Sequence, residues 1–327
     1  MIYCRAVSPP LPQRYFDVIC CPRCHGDLSH PAAATDTLEC AGCRAGYPVV
    51  DGVPILLVDA DDQASSAIRQ FYSNAWKRDE QQELRARVLH NDLSDLGERY
   101  ATIHEQAFER YFDGGGRYFL DAACGALPRV SFGKSFAHHV CLDFSLDGLI
   151  ECRRVLGERA ITVCGSVLKM PLKTSLCDGV LAAHCIYHVE KERQHEAVAE
   201  MSRVLAAGRV VIFYANPDAL ERKIIRGAKR VMGRGGGSDA PQVTESFYYY
   251  AHPIDRMLSF LRDEFPDGAV SVLPLRLVST TVSARAFRVK VLGPAFFHTL
   301  RAVEKLAPRN ARPARLVAYV VDRPARR

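Results

Sequence analysis

Short apolar segments alternate with amphipathic segments from about residue 113 to residue 215. The apolar segments are rich in Val, Ile, Leu and Phe and have the pattern of buried strands. They predict strands near 117–122, 139–143, 160–164, 178–183 and 209–215. The segments between them, such as 146–157 and 191–206, carry apolar residues at helical spacing. This alternation predicts an α/β fold, a parallel sheet with helices on both faces that binds ligands at the carboxyl ends of its strands.

The pattern changes after residue 216. Residues 217–240 predict a basic helix and a glycine-rich loop that includes Gly233–Gly237. Beyond them the sequence predicts a helix at 252–265, a strand near 270–279, a long helical stretch near 284–306 and a last strand at 315–322. We expect residues 217–260 to form an insertion that closes over a substrate.

Two features of this insertion bear on its role. The tyrosines Tyr248, Tyr249 and Tyr250 predict an apolar inner face, and ordinary packing against the next helix is the alternative. The basic helix predicts contact with a phosphate-bearing substrate or a membrane surface, and a solvated face is the commoner explanation. Its cationic residues are Arg222, Lys223, Arg226, Lys229 and Arg230.

The front of the chain is organised differently. We predict a flexible lead-in over 1–14 and a compact unit over 15–59, in which short apolar runs alternate with Gly and Pro. A charged segment over 60–112 predicts a helical linker into the main domain, 113–327.

Composition narrows the function classes only a little. The 327 residues are 48% hydrophobic and 24% charged, which is ordinary globular usage. No apolar run is long enough to cross a bilayer and no apolar signal core is present, so we expect the cytosol as the compartment. The net charge of +6 is compatible with an anionic cofactor, RNA or an acidic membrane, and does not decide among them.

Four of the 12 cysteines form two C-x2-C pairs, Cys21 with Cys24 and Cys40 with Cys43, with 15 residues between the pairs. This spacing predicts a four-thiolate zinc ion (Zn2+) site. Such a site has no open position for chemistry, so its role is structural. Cys20 would be the ligand in place of Cys21 if the register were shifted by one residue.

The residues around these cysteines, CPRCHGDL and LECAGCRAGYPVVDGVPILL, resemble the zinc-ribbon family of the small activator protein of tRNA and protein methyltransferases. The tail Tyr47–Leu56 carries the family's Tyr-Pro and Asp-Gly-(apolar)-Pro pattern. The resemblance covers about 45 residues, and such ribbons are often fused to the front of methyltransferases.

Two strands of the main domain end in an acid. The first runs into a small-residue turn, YFLDAACG, and ends near Asp121, and the second ends at Asp143. A small-residue turn lets backbone approach a ligand closely, and an acid at the end of the second strand can accept hydrogen bonds from ribose hydroxyls. No G-x-G-x-x-G follows the first strand, which argues against a nicotinamide dehydrogenase.

Residues 117–215 resemble the class I S-adenosyl-L-methionine (SAM) dependent methyltransferases, in particular the type related to ubiquinone and menaquinone biosynthesis. The resemblance implies a Rossmann-like sheet and SAM as cofactor. It implies that the turn from Asp121 through Ala123 to Gly125 holds the methionine part, that Asp143 holds the ribose and that Phe144 lies near the adenine.

The chain departs from the family pattern at three positions. Ala123 replaces a glycine, which we read as a mild change, and Leu127 replaces another glycine. Ser166 stands where the family has an acid that contacts the adenine amino group, and its hydroxyl is a weaker acceptor than a carboxylate. SAM binding remains the expectation.

His184 and His188 follow the fourth predicted strand and lie four residues apart, on one face if the segment is a helical turn. A neutral histidine at this edge can remove a proton from a hydroxyl or amine. The alternative is that the histidines line the SAM pocket. The Asn/Asp-Pro-Pro-aromatic motif of adenine and cytosine amino methyltransferases is not found at this position.

The resulting hypothesis is a methyltransferase that acts on an oxygen or nitrogen of a small or lipid-like metabolite. An RNA methyltransferase is the enzymatic alternative, which the lack of interleaved basic and aromatic residues does not favour. A zinc-ribbon adaptor with a decayed cofactor domain is the non-enzymatic alternative, for which Leu127 and Ser166 argue. The sequence leaves the oligomeric state open.

Overall fold

A computed structural model describes residues 10–31, 36–58, 76, 95–233, 242–244, 247–287, 289, 292–306 and 309–325. All structural statements below refer to these residues. Three predictions fall largely outside the described residues: the flexible lead-in, most of the helical linker and the glycine-rich loop. They concern mainly residues 1–9, 59–94 and 234–241, of which only Trp76 is described.

The N-terminal unit is a small antiparallel β structure. A short helix α1 (Gln13–Phe16) precedes four strands that pair in sequence order. These strands are β1 (Leu28–Ser29), β2 (Thr37–Cys40), β3 (Gly46–Val50) and β4 (Val53–Pro54). This is the small β-rich ribbon expected from the sequence. Helix α2 (Asp95–Gln106) and a 3-10 turn (Glu109–Phe112) then precede the main domain.

The main domain is built on a seven-stranded sheet with the order β12-β13-β9-β8-β5-β6-β7. Strands β5 to β9 are mutually parallel, and β13 pairs antiparallel with both β9 and β12. The central strands are β5 (Gly116–Ala122), β6 (Phe136–Asp143), β7 (Ala160–Cys164), β8 (Cys177–Ala183) and β9 (Leu205–Ala215). The remaining strands are the hairpin β10 (Gln242–Thr244) and β11 (Phe247–Tyr249), then β12 (Ala269–Arg276) and β13 (Leu316–Arg323). The five strands predicted from apolar runs are confirmed.

Helices cover both faces of this sheet. They are α3 (Leu146–Leu156), α4 (Gln194–Val204), α5 (Leu220–Val231), α6 (Ile254–Glu264), α7 (Thr280–Phe287) and α8 (Leu292–Leu306). Alternate residues of β5 belong to opposite cores, with Leu120 on one face and Phe119 on the other. The α/β fold with two covered faces is therefore confirmed, and the single helical stretch expected near 284–306 is two helices. The backbone of Gly293 approaches the carbonyl of Phe287 too closely for any Cβ at that glycine.

The ribbon and the sheet share one hydrophobic core. Leu38 and Leu56 of the ribbon and Leu120 of the sheet are fully buried in the same cluster. The chain after β4 extends the sheet edge, because Ile55 forms a parallel bridge with Cys164 and the Leu56 N–H donates to the Cys164 carbonyl at 2.7 Å. The N-terminal unit is thus an added layer of the main domain.

A second contact ties the first cysteine pair to the main domain. The Cys20 N–H donates to the Pro171 carbonyl at 3.0 Å, and the Lys173 N–H donates to the Val18 carbonyl at 2.9 Å. None of the helices in the described part of the chain is long and apolar enough to cross a membrane.

We expect Leu56→Ala to lower the free energy of unfolding by about 2–5 kcal/mol, because it leaves a cavity between ribbon and sheet. Val50→Ala is the matched control in the same ribbon, since Val50 is 37% exposed and should change the stability by less than about 0.5 kcal/mol. Denaturant unfolding followed by circular dichroism measures both. Equal effects of the two substitutions would contradict a shared core.

Candidate functional site

The four predicted cysteine ligands converge on one point. Their Sγ atoms all lie within 4.8 Å of one another, with Cys21 to Cys43 at 3.6 Å and Cys24 to Cys40 at 3.5 Å. Tetrahedral zinc with Zn–S bonds of about 2.3 Å needs sulfur atoms about 3.8 Å apart. The donor set therefore fits a structural zinc ion, and Cys20 is not part of it.

The two cysteine turns have the same backbone design. The residue after each second cysteine, His25 or Arg44, has a left-handed φ of 58° or 60°. Its N–H donates to the carbonyl of the first cysteine in that pair, at 2.8 Å and 3.0 Å. The Tyr47 hydroxyl lies 3.1 Å from the Cys21 sulfur and can donate to its thiolate. The family tail of the ribbon thus contacts the ligand sphere.

The second candidate site lies at the carboxyl ends of β5, β6 and β8. Gly125, in the turn after β5, has φ of +58° and its N–H donates to the Asp143 carboxylate at 2.9 Å. The other oxygen of Asp143 accepts from the Ser145 N–H at 2.8 Å, and the Ser145 side chain caps α3 through the Gly148 N–H. One buried carboxylate thus fixes both a turn and a helix start.

The electrostatics of Asp143 follow from its burial. Desolvation raises the pKa of Asp143 to about 6, although its two backbone hydrogen bonds favour the charged form. Each oxygen keeps a second lone pair for a further donor. The thiol of Cys152 on α3 donates to the Gly125 carbonyl at 3.2 Å, and Cys124, Cys141 and Cys152 have their sulfur atoms within 4.8 Å of one another.

Asp121 and Ala123 occupy different environments in this turn. Asp121 is only 1% exposed, accepts from the Arg129 N–H at 2.7 Å and lies 3.4 Å from His139 Nε2. Ala123 has φ of +56°, a conformation that favours glycine. Replacing the family's glycine here is therefore a strained change that costs about 1–2 kcal/mol, more than the mild change expected from the sequence.

Phe144 and Ser166 follow β6 and β7. Phe144 is half-buried at the β6 end and its carbonyl accepts from the Cys164 thiol at 3.5 Å. The Ser166 hydroxyl accepts from the Leu168 N–H at 3.1 Å, so it stabilises its own turn. Leu127, the other departure from the family, is 47% exposed.

His184 lies directly after β8, with φ of +61°. Its Nε2 is 3.1 Å from Glu105 Oε1 of α2, and Glu105 Oε2 is 3.3 Å from an Arg129 nitrogen. Burial alone would raise the pKa of Glu105, but the hydrogen bond from His184 and the charge of Arg129 outweigh it and lower the pKa to about 2. An ionised carboxylate only accepts, so Nε2 of His184 carries the proton and Nδ1 presents its lone pair.

His188 has another partner. A 3-10 turn covers only Ile186–His188, and His184 precedes it, so the two histidines do not share a helical face. Nδ1 of His188 donates to the Tyr248 carbonyl at 2.9 Å, and burial lowers the pKa of His188 to about 4. Burial also lowers the pKa of His184, against the opposing effect of Glu105. Both rings are therefore neutral at pH 7.

The three tyrosines line the same region. The Tyr249 ring lies 5.1 Å from that of Tyr187, and the Tyr250 N–H donates to the Tyr187 carbonyl at 2.9 Å. The Tyr248 hydroxyl accepts from the Lys191 N–H at 2.9 Å. This part of the expected insertion is packed against the segment after β8 and forms a wall beside His188.

Sequence reasoning did not identify Glu105, Arg129 or Trp76 as site residues. The indole of Trp76 lies against the Gly125 turn, where a Cβ would come within 2.5 Å of it. Trp76 is the only tryptophan of the chain, and Glu105 lies in a segment read simply as a linker. Composition could have drawn attention to Trp76, whereas the two charged residues carry no pattern of their own.

Two family models match the chain, one described as a methyltransferase domain at residues 120–213 and one as a Trm112p-like protein at residues 13–52. The chain therefore carries a methyltransferase domain at 120–213 and a Trm112p-like ribbon in front of it. The residues that match the methyltransferase family end two residues before Ala215, the last residue of β9. They include both the turn after β5 and His184 of the second candidate site.

Relatives of the ribbon support this assignment. A UPF0434 protein of Paraburkholderia phymatum is 41% identical over 46 residues, which cover 14% of this chain and 67% of the relative. A UPF0434 protein of Dechloromonas aromatica is 36% identical over 53 residues, which cover 16% and 90% respectively.

Solved methyltransferase structures are also similar to the chain. Geranyl diphosphate C-methyltransferase from Streptomyces coelicolor A3(2) has 15% identity and a TM-score of 0.48, over 80% of this chain and 99% of that one. The 1,6-didemethyltoxoflavin-N1-methyltransferase of Burkholderia thailandensis has 11% identity and a TM-score of 0.46, over 87% and 97%.

The ribbon geometry predicts a loss of zinc on substitution of one ligand. We expect Cys40→Ser to lose zinc at chelator concentrations that leave the wild-type protein loaded, because a serine hydroxyl is a poor zinc ligand. Cys20→Ser is the matched control, since Cys20 is equally buried but lies outside the cluster. Metal analysis after chelator dialysis measures both, and loss of zinc from the Cys20 variant alone would overturn the ligand assignment.

Proposed function

We propose that this protein is a SAM-dependent methyltransferase that transfers a methyl group to an oxygen or nitrogen of a small acceptor. One observation carries the proposal: the ends of the adjacent strands β5 and β8 bring the clamped Gly125 turn and the Glu105–His184 pair to the same sheet edge. A cofactor turn and a polarised histidine at one edge are suited to methyl transfer to a protic acceptor.

The residues for SAM are the ones expected from the family resemblance. The open backbone of Gly125 takes the methionine part, and Asp143 has spare lone pairs for the ribose hydroxyls. Phe144 and Ser166 follow the next strand ends, where the adenine would lie. SAM supplies a methyl group on a positively charged sulfur. The contribution of the protein is to hold that sulfur near Gly125 and to exclude water.

His184 is the proposed general base. A bond forms between the methyl carbon and the acceptor atom while the methyl–sulfur bond breaks, and the acceptor proton passes to Nδ1 of His184. Glu105 holds the ring by Nε2 and stabilises the imidazolium that results. The pKa of about 4 makes His188 a poorer base, and its bond to Tyr248 gives it a role in the wall of the site.

The raised pKa of Asp143 predicts a pH-dependent cofactor affinity. The free protein favours the protonated form below pH 6, whereas ribose hydroxyls donate to the ionised form, so binding must complete the ionisation. We expect the Kd for SAM to fall about tenfold between pH 5 and pH 8. Fluorescence of Trp76, which lies on the Gly125 turn, reports binding.

Asp143→Asn is the control for this prediction. The amide cannot ionise, so the variant should bind SAM more weakly and with little dependence on pH. A wild-type protein that binds no SAM at any pH would refute the proposed function. A pH dependence that survives in the Asn variant would refute only the role of Asp143.

Removal of the proposed base should affect turnover far more than SAM affinity. We expect His184→Ala to lower turnover about 100-fold or more with little change in the Kd for SAM. Glu105→Gln should lower turnover and move the acid limb of the pH profile further below 6.5, because the carboxylate raises the pKa of His184.

The assay is single-turnover methyl transfer from labelled SAM to a panel of small hydroxyl and amine acceptors. His195→Ala is the matched control, since His195 is exposed on α4 and outside the site. Full turnover by the His184 variant would show that the acceptor needs no base from this residue. Transfer to RNA but to none of the small acceptors would favour the nucleic-acid alternative.

A further inference from the structure

Arg276 is a buried cation whose side chain forms no hydrogen bond or ion pair with the described residues. It is the last residue of β12, is 5% exposed, and its Nε has no hydrogen-bond acceptor. No acidic oxygen of the described chain lies within 4.0 Å of its guanidinium. Leaving a buried charge without an ion-pair partner is costly, and a bound anion would relieve that cost.

The position of Arg276 places it at the ligand edge of the sheet. Strand β12 runs parallel to β9, because both pair antiparallel with β13. Arg276 and Ala215 both pair with Leu316, so their strands end at the same level. The neighbouring strand β8 leads into His184 at this edge, where the His184 N–H donates to the Phe213 carbonyl at 3.1 Å.

Local charge also favours an anion. Glu105 is the strongest opposite charge near Arg276, and its two oxygens are already engaged by His184 and Arg129. Because His184 is neutral, the single carboxylate of Glu105 faces the guanidinium groups of Arg129 and Arg276. These side chains together therefore carry an excess positive charge. A bound carboxylate or phosphate would neutralise it and accept the orphaned N–H.

A second orphaned polar atom lies in the same region. The Tyr249 hydroxyl is buried and has no hydrogen-bond partner in the described structure. Its ring lies 5.1 Å from the ring of Tyr187 and 6.0 Å from the ring of His188. The Tyr249 hydroxyl is thus a second unused donor, next to His188.

We propose that Arg276 binds an anionic oxyacid group, a carboxylate or a phosphate, of the methyl acceptor. The claim that the anion belongs to a methyl acceptor rests on the proposed function. The anion site itself does not depend on it. Arg276 orients the substrate so that its hydroxyl or amine faces Nδ1 of His184, and neutral analogues are excluded because they leave the arginine uncompensated.

The test uses three simple probes: inorganic phosphate, benzoate, and benzamide as a neutral compound of the same shape as benzoate. Each is added to the full chain with and without S-adenosylhomocysteine, at constant ionic strength. At an anion concentration ten times its Kd, we expect benzoate or phosphate to raise the midpoint temperature of unfolding by roughly 3 °C. Benzamide should have no effect. Benzoate alone identifies a carboxylate site, and phosphate alone identifies a phosphate site.

Arg276→Met supplies the second readout. It should abolish the anion effect and, without anion, unfold at or above the wild-type midpoint, because an uncompensated buried charge is removed. Arg262→Met is the control for the same change of charge on an exposed position of α6.

Equal effects of benzoate and benzamide on the wild-type protein would overturn the proposal without need of a variant. Retention of the anion effect by Arg276→Met would also overturn it. Anion binding that depends on Arg276 in a protein that binds no SAM would leave the site standing and refute the proposed function.

A second inference comes from α5. Every residue of this helix is at least partly exposed, including the apolar residues Leu220 (53%), Ile224 (62%) and Val231 (89%). At 100° per residue these three lie within about 40° of one another around the helix axis, and the cations occupy the opposite side within about 120°. The cations are Arg222, Lys223, Arg226, Lys229 and Arg230.

The start of α5 is fixed to the sheet edge. Ala219, four residues beyond the end of β9, is fully buried. The Leu220 N–H donates to the Pro313 carbonyl at 3.1 Å. An exposed apolar stripe opposite a cationic face has the chemistry of an interfacial helix. We infer that α5 lies on the surface of a bilayer that contains anionic lipids, beside the opening of the site.

Vesicle co-sedimentation of the full chain tests this inference. We expect binding to vesicles of phosphatidylglycerol and phosphatidylcholine at about 1:3, and weak binding to pure phosphatidylcholine. Ile224→Glu should abolish binding, whereas Val155→Glu, an exposed apolar position (57%) on α3, should not. Wild-type protein that stays in the supernatant with both vesicles, or equal loss in both variants, would overturn the assignment. Self-association lost in Ile224→Glu without any vesicle binding would instead identify a protein interface and overturn it too.

Discussion

The hydrogen bond from the Gly125 N–H to the Asp143 carboxylate is the contact on which the proposed site depends. It joins the ends of two neighbouring parallel strands, and the other Asp143 oxygen fixes the start of α3 through Ser145. A single buried charge is thereby compensated by backbone donors alone. Loss of this carboxylate would release the turn, the strand end and the helix start together, which makes Asp143 a structural residue as well as a proposed ribose ligand.

Two strained backbone positions lie at the same sheet edge. Ala123 and His184 both have left-handed backbone conformations without being glycine, and each lies just beyond the end of a central strand. Such conformations persist only where the surrounding structure imposes them, and they cluster at functional sites. In His184 the left-handed backbone directs the ring toward Glu105 of α2, a residue 79 positions away in the chain.

Local patterns predicted the scaffold well. Apolar runs located the five parallel strands, and the C-x2-C spacing located a ligand set that the structure brings together. The apolar pattern also placed Asp143 at the end of a strand, where it meets Gly125.

Contacts between distant segments could not be predicted in this way. Glu105, Arg129 and Arg276 come from a helix, a loop and a late strand, and only the folded chain brings them to one edge of the sheet. No periodicity marks such residues. The conformational cost of alanine in place of glycine at Ala123 was also underestimated. A sequence shows the substitution but not that the residue has a positive φ.

The docked ribbon has a consequence for stoichiometry. A stretch of 53 residues covers 90% of the Dechloromonas aromatica relative, so that protein is little more than a ribbon by itself. In this chain the same unit is covalently joined to a sheet whose edge it extends at Ile55 and Cys164. Joining turns a bimolecular encounter into an intramolecular one with an effective concentration in the millimolar range. The ribbon edge is therefore permanently occupied, at one ribbon per sheet.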